Sequence, residues 1–500
     1  MEKITMSAVS KGKEDNMRRI LNFTLGPTMV LILLIVLGVQ FIPGEPLIRE
    51  QAVASSGTRR SWLLQEGNNL PKTGLQHKQS HELEDNRIGQ QASLEADIYT
   101  KQDVNYFVNQ YINLGLKRAR LTMERFEWDK MDWSNLEEYS KFNIGPYHDK
   151  AITGLADNGI KITYFLFFWD PESPGKEVTS GYSRFKTEDE IQRYLDYTKF
   201  IVNHFKGRIE YYEILNEPIT GSGTQQSVEV ADYINLVRRV VPVIRKEDLG
   251  AKVVVGAIPN LYNPGDYKYL LNILNSEIMP LVDGISFHPM HGVSPDYELK
   301  EDYYKYPSVI QEIKDVASAH GFEGEYFADE LIWRNSEIPL ESEPWVYSEI
   351  AVAKYYARGI VMNLGMDLNV GLALESVEEQ PLMVRVIQNL CTIMAGAKPV
   401  SLPIEIQSKA TNIRNYNFSL SNGDKLIALW TDGVAVDDDP GVKATLISPG
   451  FSAQKVMGID VLNGFEQQLV VNIENGNLLI HNLLVKDYPI IIRLIDITSF

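Results

Sequence analysis

The sequence predicts an α/β protein: a (β/α)8 TIM barrel with a C-terminal all-β, sandwich-like module, preceded by an N-terminal transmembrane segment and a flexible linker. Three observations predict it. Between residues 86 and 397, short apolar runs alternate with amphipathic stretches, the pattern of βα units around a parallel sheet, and eight such units can be counted. From residue 398 to 500 the texture changes to short alternating strands separated by turn signals such as Ser421-Asn422-Gly423 and Asn463-Gly464. Two of the apolar runs, "YYEILNEP" at Tyr211–Pro218 and "GEYFADE" at Gly324–Glu330, carry a glutamate at their carboxyl ends, which puts Glu217 and Glu330 at the mouth of a barrel.

Composition bounds the rest. A chain of 500 residues suits one large barrel with an accessory module. The formal net charge of -18 argues against nucleic acid or an anionic membrane surface as the main partner. Cys391 is the only cysteine, so no intrachain disulfide can form and a Cys-based metal site is excluded. Neither HExxH, nor a His-rich cluster, nor a phosphate-cradling Gly motif occurs, so no cofactor and no metal are expected.

Residues 1–20 read as a cytoplasmic tail, with Lys3, Lys11, Lys13, Arg18 and Arg19. Residues 21–44 hold no charged side chain and centre on "MVLILLIVLGVQFI", long enough to span a bilayer with the tail held inside by its cations. The competing reading is a cleaved signal peptide, with "AVA" at Ala52–Ala54 as the cleavage-like triplet or Met17 as the true start. Either reading exports the body, as a single-pass protein of the cell membrane or as a secreted one. Residues 45–85 are polar and aperiodic, which predicts a flexible tether.

Within the barrel, the first strand is "RIGQQAS", followed by a helix with Val104, Phe107, Val108, Tyr111 and Ile112 on one face and Gly115 as its stop. "LKRARLTM" is the second strand and "IKITYFLFF" the third. Thr187 and Glu190 form a capping box for the next helix, and the fourth strand carries Glu217. Strands five to eight are "AKVVVGA", "VDGISFHP", the strand with Glu330, and "LNVGLAL", each separated by a helical stretch.

Side chains at the carboxyl ends of barrel strands line the catalytic face, so position separates a functional carboxylate from a solvated one. Two glutamates at the ends of the fourth and seventh strands suit acid/base and nucleophilic work on a glycosidic bond. Aromatic residues gather after the same strand ends: Phe126, Trp128, Phe168, Trp169, Tyr262 and Trp333. Flat rings offer faces for the C–H surfaces of sugars, and Trp169 and Trp333 are the ones expected to do so. The bland alternative for each of these residues is ion pairing, turn capping or core packing.

"ILNEP" with Glu217 and "ADELIW" with Glu330 resemble the acid/base and nucleophile motifs of the clan A glycoside hydrolases, over the whole barrel, and the combination with "DGISFHP" and a trailing β-module is similar to families 39 and 5. The resemblance implies a retaining mechanism, with Glu330 attacking the anomeric carbon and Glu217 acting as acid and then base. It implies that Asn216 hydrogen-bonds the sugar 2-hydroxyl and that the second-strand arginine, Arg120 or its neighbour in parity Arg118, keeps Glu330 charged. His288 is placed beside the nucleophile or a substrate hydroxyl. Glu217 is then expected to have a raised pKa. Two departures stand out: "HPM" occurs where many relatives place a tyrosine beside the nucleophile, and "GLALES" lacks the aromatic often found at the eighth strand. The implied substrate is a β-linked plant- or cell-wall-type saccharide, cut by an activity of the β-xylosidase, β-glucosidase or endoglucanase kind. Endo or exo action and oligomeric state stay open. The alternative reading is a non-catalytic carbohydrate-binding or cell-surface protein on the same barrel.

Overall fold

The computed structural model describes residues 63–91, 103–122, 144, 146–168, 170, 172–173, 183–221, 227–296, 300–335, 346–374, 377–450 and 455–495. After β1 (Lys72–Gly74), strand and helix alternate: β2 (Ile88–Gln91), α1 (Val104–Leu114), β3 (Arg118–Leu121), α2 (Pro146–Asp157), β4 (Lys161–Phe165), α3 (Glu188–His204), β5 (Tyr211–Glu213), α4 (Val230–Glu247), β6 (Lys252–Ile258), α5 (Pro264–Leu274) and β7 (Gly284–Phe287). A two-residue strand β8 (Met290–His291) precedes α6 (Lys300–Ala319), and β9 (Glu325–Ile332), α7 (Glu349–Gly365), β10 (Asn369–Ala373) and α8 (Pro381–Ile393) complete eight βα units. The sheet runs β10-β2-β3-β4-β5-β6-β7-β9, all parallel, and β10 also pairs with β9, which closes the barrel.

Local chemistry explains the elements. Asp103 caps α1 at Asn105 N, and Gly115 ends it at φ 74°, a left-handed conformation that glycine adopts without a Cβ clash. Thr187 accepts from Glu190 N at the start of α3, as the capping residues predict. The helix α7 is buried on nearly every face. It packs between the barrel and the β-module, where Arg358 donates to Asp487 O and Lys354 pairs with the Asp487 carboxylate at 2.7 Å.

The C-terminal module consists of β11 (Lys398–Pro399), β12 (Glu405–Ser408), β13 (Ile413–Ser419), β14 (Lys425–Thr431), β15 (Val442–Pro449), β16 (Lys455–Asp460), β17 (Phe465–Gln468), β18 (Asn472–Glu474), β19 (Asn477–Val485) and β20 (Ile490–Ile495). Together with β1 they form a seven-stranded and a four-stranded sheet. Both turn signals read from the sequence fall on hairpins, with Gly423 at φ 92° between β13 and β14 and Gly464 at φ 70° between β16 and β17.

The tether expected over residues 45–85 is corrected for its described part. Leu64 is fully buried, Gln65 Nε2 donates to Val470 O and His481 O at 2.8 and 2.9 Å, and β1 adds an antiparallel edge to β17. Further on, Ser80 Oγ donates to Tyr111 O at 3.0 Å and accompanies Lys117 Nζ, which donates to Ser80 O at 2.9 Å. The polar composition of this segment hides a strand edge whose partners lie some four hundred residues away. The tail and anchor expected at residues 1–20 and 21–44 lie outside the described residues. Among the described residues no helix is long and apolar enough to cross a membrane.

Candidate active site

The barrel interior is lined by residues of one parity. On β3 these are Arg118 and Arg120, on β5 Tyr211 and Glu213, on β7 Gly284 and Ser286, and on β9 Glu325, Phe327 and Asp329. The two arginines that share parity on β3 therefore sit at different depths. Arg118 pairs with Asp85 at 3.0 Å and Glu325 at 3.4 Å at the amino end of the strands. Arg120 lies at the carboxyl end, at the depth of Glu213 and Asp329.

Arg120 is the hub of that upper layer. Its guanidinium meets the fully buried Glu213 at 2.6 Å and Asp329 at 3.1 Å, and it donates to Gln91 Oε1 and Asn216 Oδ1, both at 2.7 Å. Burial disfavours its charge, but Glu213, Asp329 and Glu330 outweigh this and raise its pKa further. Its direct partners are thus Glu213 and Asp329, and Glu330 feels it through space.

After β5 the chain turns sharply. Leu215 at φ 66° and Glu217 at φ 42° are both left-handed, a conformation that costs on the order of 1 kcal/mol or more for each non-glycine residue. That turn aims Asn216 at Arg120 and Glu217 at His288. His288 Nδ1 lies 3.0 Å from Glu217 Oε1 and 3.4 Å from Glu330 Oε2, and its backbone is held by a 2.8 Å bond from His288 N to Ile258 O. One fully buried imidazole thus bridges the two glutamates singled out in the sequence.

Glu330 reaches the same side of the sheet as Asp329, although the two are adjacent. Val370 pairs with Ala328 and Leu372 with Leu331, so Asp329 and Glu330 together face the single residue Gly371 in a β-bulge. A Cβ on Gly371 would lie 2.4 Å from Asp329 O, so only glycine permits the approach of β10 there.

The electrostatics follow from an excess of carboxyl groups. Burial alone would lower the His288 pKa, yet Glu330, Glu217 and Asp329 raise it to about 9. Burial raises Asp329 to about 8, with Glu213 adding to the rise against Arg120. The expected rise at Glu217 is corrected: burial pushes its pKa up, but the hydrogen bond and charge of His288 bring it below the ordinary carboxylate value. Both shifts favour the proton on the imidazole over the Glu217 carboxylate.

Sequence reasoning missed Glu213, Asp329 and His291. The first two carried a signal in their strand parity and position; His291 did not, because it depends on β8 pairing with β9, where His291 stands opposite Ile332. Its Nε2 is 3.5 Å from Glu330 Oε1, and its ring stacks on His288 with centroids 6.2 Å apart. His288, His291 and Glu330 are also the residues placed to hold a metal ion, with one ligand atom from each inside a 4.8 Å span.

The aromatic expectations fare differently. Trp169, Phe126 and Trp128 lie outside the described residues. Trp333 is corrected from a sugar platform to a core residue: it is 2% exposed, donates from Nε1 to Val293 O at 3.0 Å, and packs so closely on α7 that a Cβ at Gly359 would come within 2.6 Å of its ring. Phe168 is likewise buried, stacked on Tyr197 at 5.0 Å.

Fold and rim together define a class: closed (β/α)8 barrels with paired carboxylates at the carboxyl ends of the fourth and seventh strands. No protein-family model matches the chain, and no curated protein does. Solved structures do match. A family 39 glycoside hydrolase from the gut symbiont Bacteroides cellulosilyticus WH2 superposes with a TM-score of 0.58 at 14% identity, covering 84% of this chain and 83% of that one. A glucosidase from Croceicoccus marinus gives 0.51 at 10% identity over 86% and 98%. The catalytic domain of the family 30 xylanase C from Talaromyces cellulolyticus gives 0.50 at 11% identity over 85% and 99%. These neighbours match the resemblance to clan A glycoside hydrolases drawn from "ILNEP" and "ADELIW", and at such identities they establish a shared fold.

Proposed function

We propose that this chain is a retaining glycoside hydrolase acting on a β-linked plant- or cell-wall-type oligo- or polysaccharide, with Glu217 as acid/base and Glu330 as nucleophile. The observation that carries it is the shared His288 nitrogen, 3.0 Å from one carboxylate and 3.4 Å from the other. Those two oxygens can be no farther apart than the two distances laid end to end, which falls at the short end of the range for glycosidases and suits the roughly 5–5.5 Å spacing of retaining enzymes.

In the first step Glu330 forms a bond to the anomeric carbon while the bond to the leaving oxygen breaks and takes up a proton from Glu217. His288 supplies that proton to Glu217 through Nδ1. In the second step Glu217, now ionised, removes a proton from water, the water oxygen bonds to the anomeric carbon, and the ester to Glu330 breaks. Arg120 fixes Asn216 by its Oδ1, so the donor half of the amide faces the sugar 2-hydroxyl. The catalytic body is held outside the membrane by residues 21–44, whose uncharged run and flanking cations support that placement.

The test is hydrolysis of a panel of aryl β-glycosides and β-linked glycans by the full-length chain, beside Glu330→Ala and Glu217→Ala. Loss of turnover in Glu330→Ala, with azide restoring it as a glycosyl azide of inverted configuration, supports the assignment. Undiminished turnover in Glu330→Ala rejects it.

A further inference from the structure

The sequence holds no metal motif, yet the fold gathers two imidazoles and a carboxylate at the rim. The three ligand atoms lie within 4.8 Å of one another, and two of the contacts to Glu330 have the length of an edge of a coordination shell. Ligand atoms about 2.0–2.2 Å from a tetrahedral zinc ion stand roughly 3.3–3.5 Å from one another. His291 Nε2 is 3.5 Å from Glu330 Oε1, and His288 Nδ1 is 3.4 Å from Glu330 Oε2. Glu217 Oε1, at 3.0 Å from His288 Nδ1, is close enough to serve as a fourth ligand.

Two further observations point to a ligand. His291 Nε2, the atom that faces Glu330, is a buried atom with no hydrogen-bond partner among the described residues. At 3.5 Å, His291 is too far from Glu330 for a hydrogen bond. The charge balance is also that of a cation site, with Glu213, Glu217, Asp329 and Glu330 set against Arg120 and His288.

The site is anchored and reachable. Gly292 N donates to Ile332 O at 2.8 Å and Tyr347 Oη to Gly292 O at 2.7 Å, which pins the turn after His291. The His291 side chain retains 36% of its exposure, giving an ion a path from solvent.

We propose that His288, His291 and Glu330, with Glu217 closing the shell, bind a divalent transition ion of the zinc class, and that the bound ion shuts the sugar out of the rim. Imidazole with carboxylate selects zinc, copper, nickel or cobalt over calcium and magnesium, which take oxygen ligands. Binding places the ion between the two glutamates. The exclusion of sugar rests on the proposed glycosidase reading; the ion site does not.

The experiment is calorimetric titration of the EDTA-stripped full-length protein with zinc, and with calcium as control, beside His291→Gln and Glu330→Gln, whose folding is checked by circular dichroism. Expected are one zinc per chain, no saturable calcium binding, and affinity about 10-fold or more weaker in each variant. Absence of stoichiometric zinc binding, or the same affinity in folded His291→Gln, overturns the site. Copper electron paramagnetic resonance on the wild type gives a check independent of any variant: hyperfine structure from two imidazole nitrogens is expected, and its absence overturns the proposal. In turnover assays, zinc should inhibit and EDTA restore. Zinc binding in the expected pattern without glycoside turnover upholds the site and removes the glycosidase reading; turnover unaffected by saturating zinc overturns the exclusion.

Discussion

The barrel holds two charge networks, one at each end of the same strands, and they differ in their arithmetic. At the floor, Arg118, Lys161 and Lys252 meet Asp85, Glu210 and Glu325 through contacts of 3.0–3.6 Å, three cations for three anions. Tyr211 Oη and Asn369 Nδ2 donate to Glu325 as well, at 2.6 and 3.0 Å. Against the cost of burial, these partners bring the Glu325 pKa down to about 2. At the rim, four carboxyl groups gather around the Arg120 guanidinium and the His288 imidazole, with His291 beside them, and the result is a His288 raised to about 9 and an aspartate raised to about 8. A balanced network holds its charges fixed and braces the barrel. An unbalanced one retains a mobile proton near neutrality, which is what acid/base chemistry needs.

The contrast predicts paired outcomes, and the largest is chemical. Glu330→Ala at the rim should lower kcat/KM on an aryl β-glycoside by on the order of 10^4-fold or more, whereas Glu325→Gln at the floor should leave it within about threefold. A floor variant that abolished turnover in a folded protein would break the comparison.

The two arginines offer the next test. Arg120→Lys keeps the charge but loses the fork that holds Glu213, Asp329 and Asn216, so kcat/KM should fall about 100-fold. Arg118→Lys should cost less than about twofold in the same assay.

Stability against pH sharpens the comparison further. His288 binds its proton more tightly folded, at about 9 against 6.5 unfolded, so its contribution, roughly 3 kcal/mol at most, is complete below pH 6.5 and lost as pH rises through 9. Asp329, raised from 3.8 to about 8, works in the same direction over its own range. The urea midpoint should therefore fall between pH 6.5 and 9, and fall less in His288→Gln.

The smallest effect belongs to the floor. Arg118→Met should destabilise the fold by about 2 kcal/mol in urea unfolding, a value discounted from that of a sealed pair because Glu325 retains 37% side-chain exposure. Turnover per folded molecule should stay within about twofold.

The sequence made the barrel legible because hydrophobic period and turn chemistry are local properties. The strands, the Thr187 cap, the Gly115 stop and the hairpin glycines all follow from a few neighbouring residues. Glu217, Glu330 and His288 could be named because strand ends can be counted, Arg120 and Asn216 because their motifs resemble those of the clan A glycoside hydrolases, and the structure brings these five together. What escaped was set by distant partners. Gln65 owes its place to Val470 and His481, His291 to a two-residue strand, and Trp333 to Gly359, which leaves room for an indole on α7. The downward shift at Glu217 escaped for the same reason, since no local pattern reports that His288 stands between two carboxylates.

The bulge opposite Gly371 has a consequence for how such a site can be lost. Every other residue that lines the rim could remain in the chain, and the site would still fail if the strand lost either Asp329 or Glu330. Regular alternation would then return, and the remaining carboxylate could occupy only one of the two positions that Asp329 and Glu330 now fill. The rim is thus spelled by residue count as well as by residue type, and single-residue deletions are the lesion to which it has least resistance.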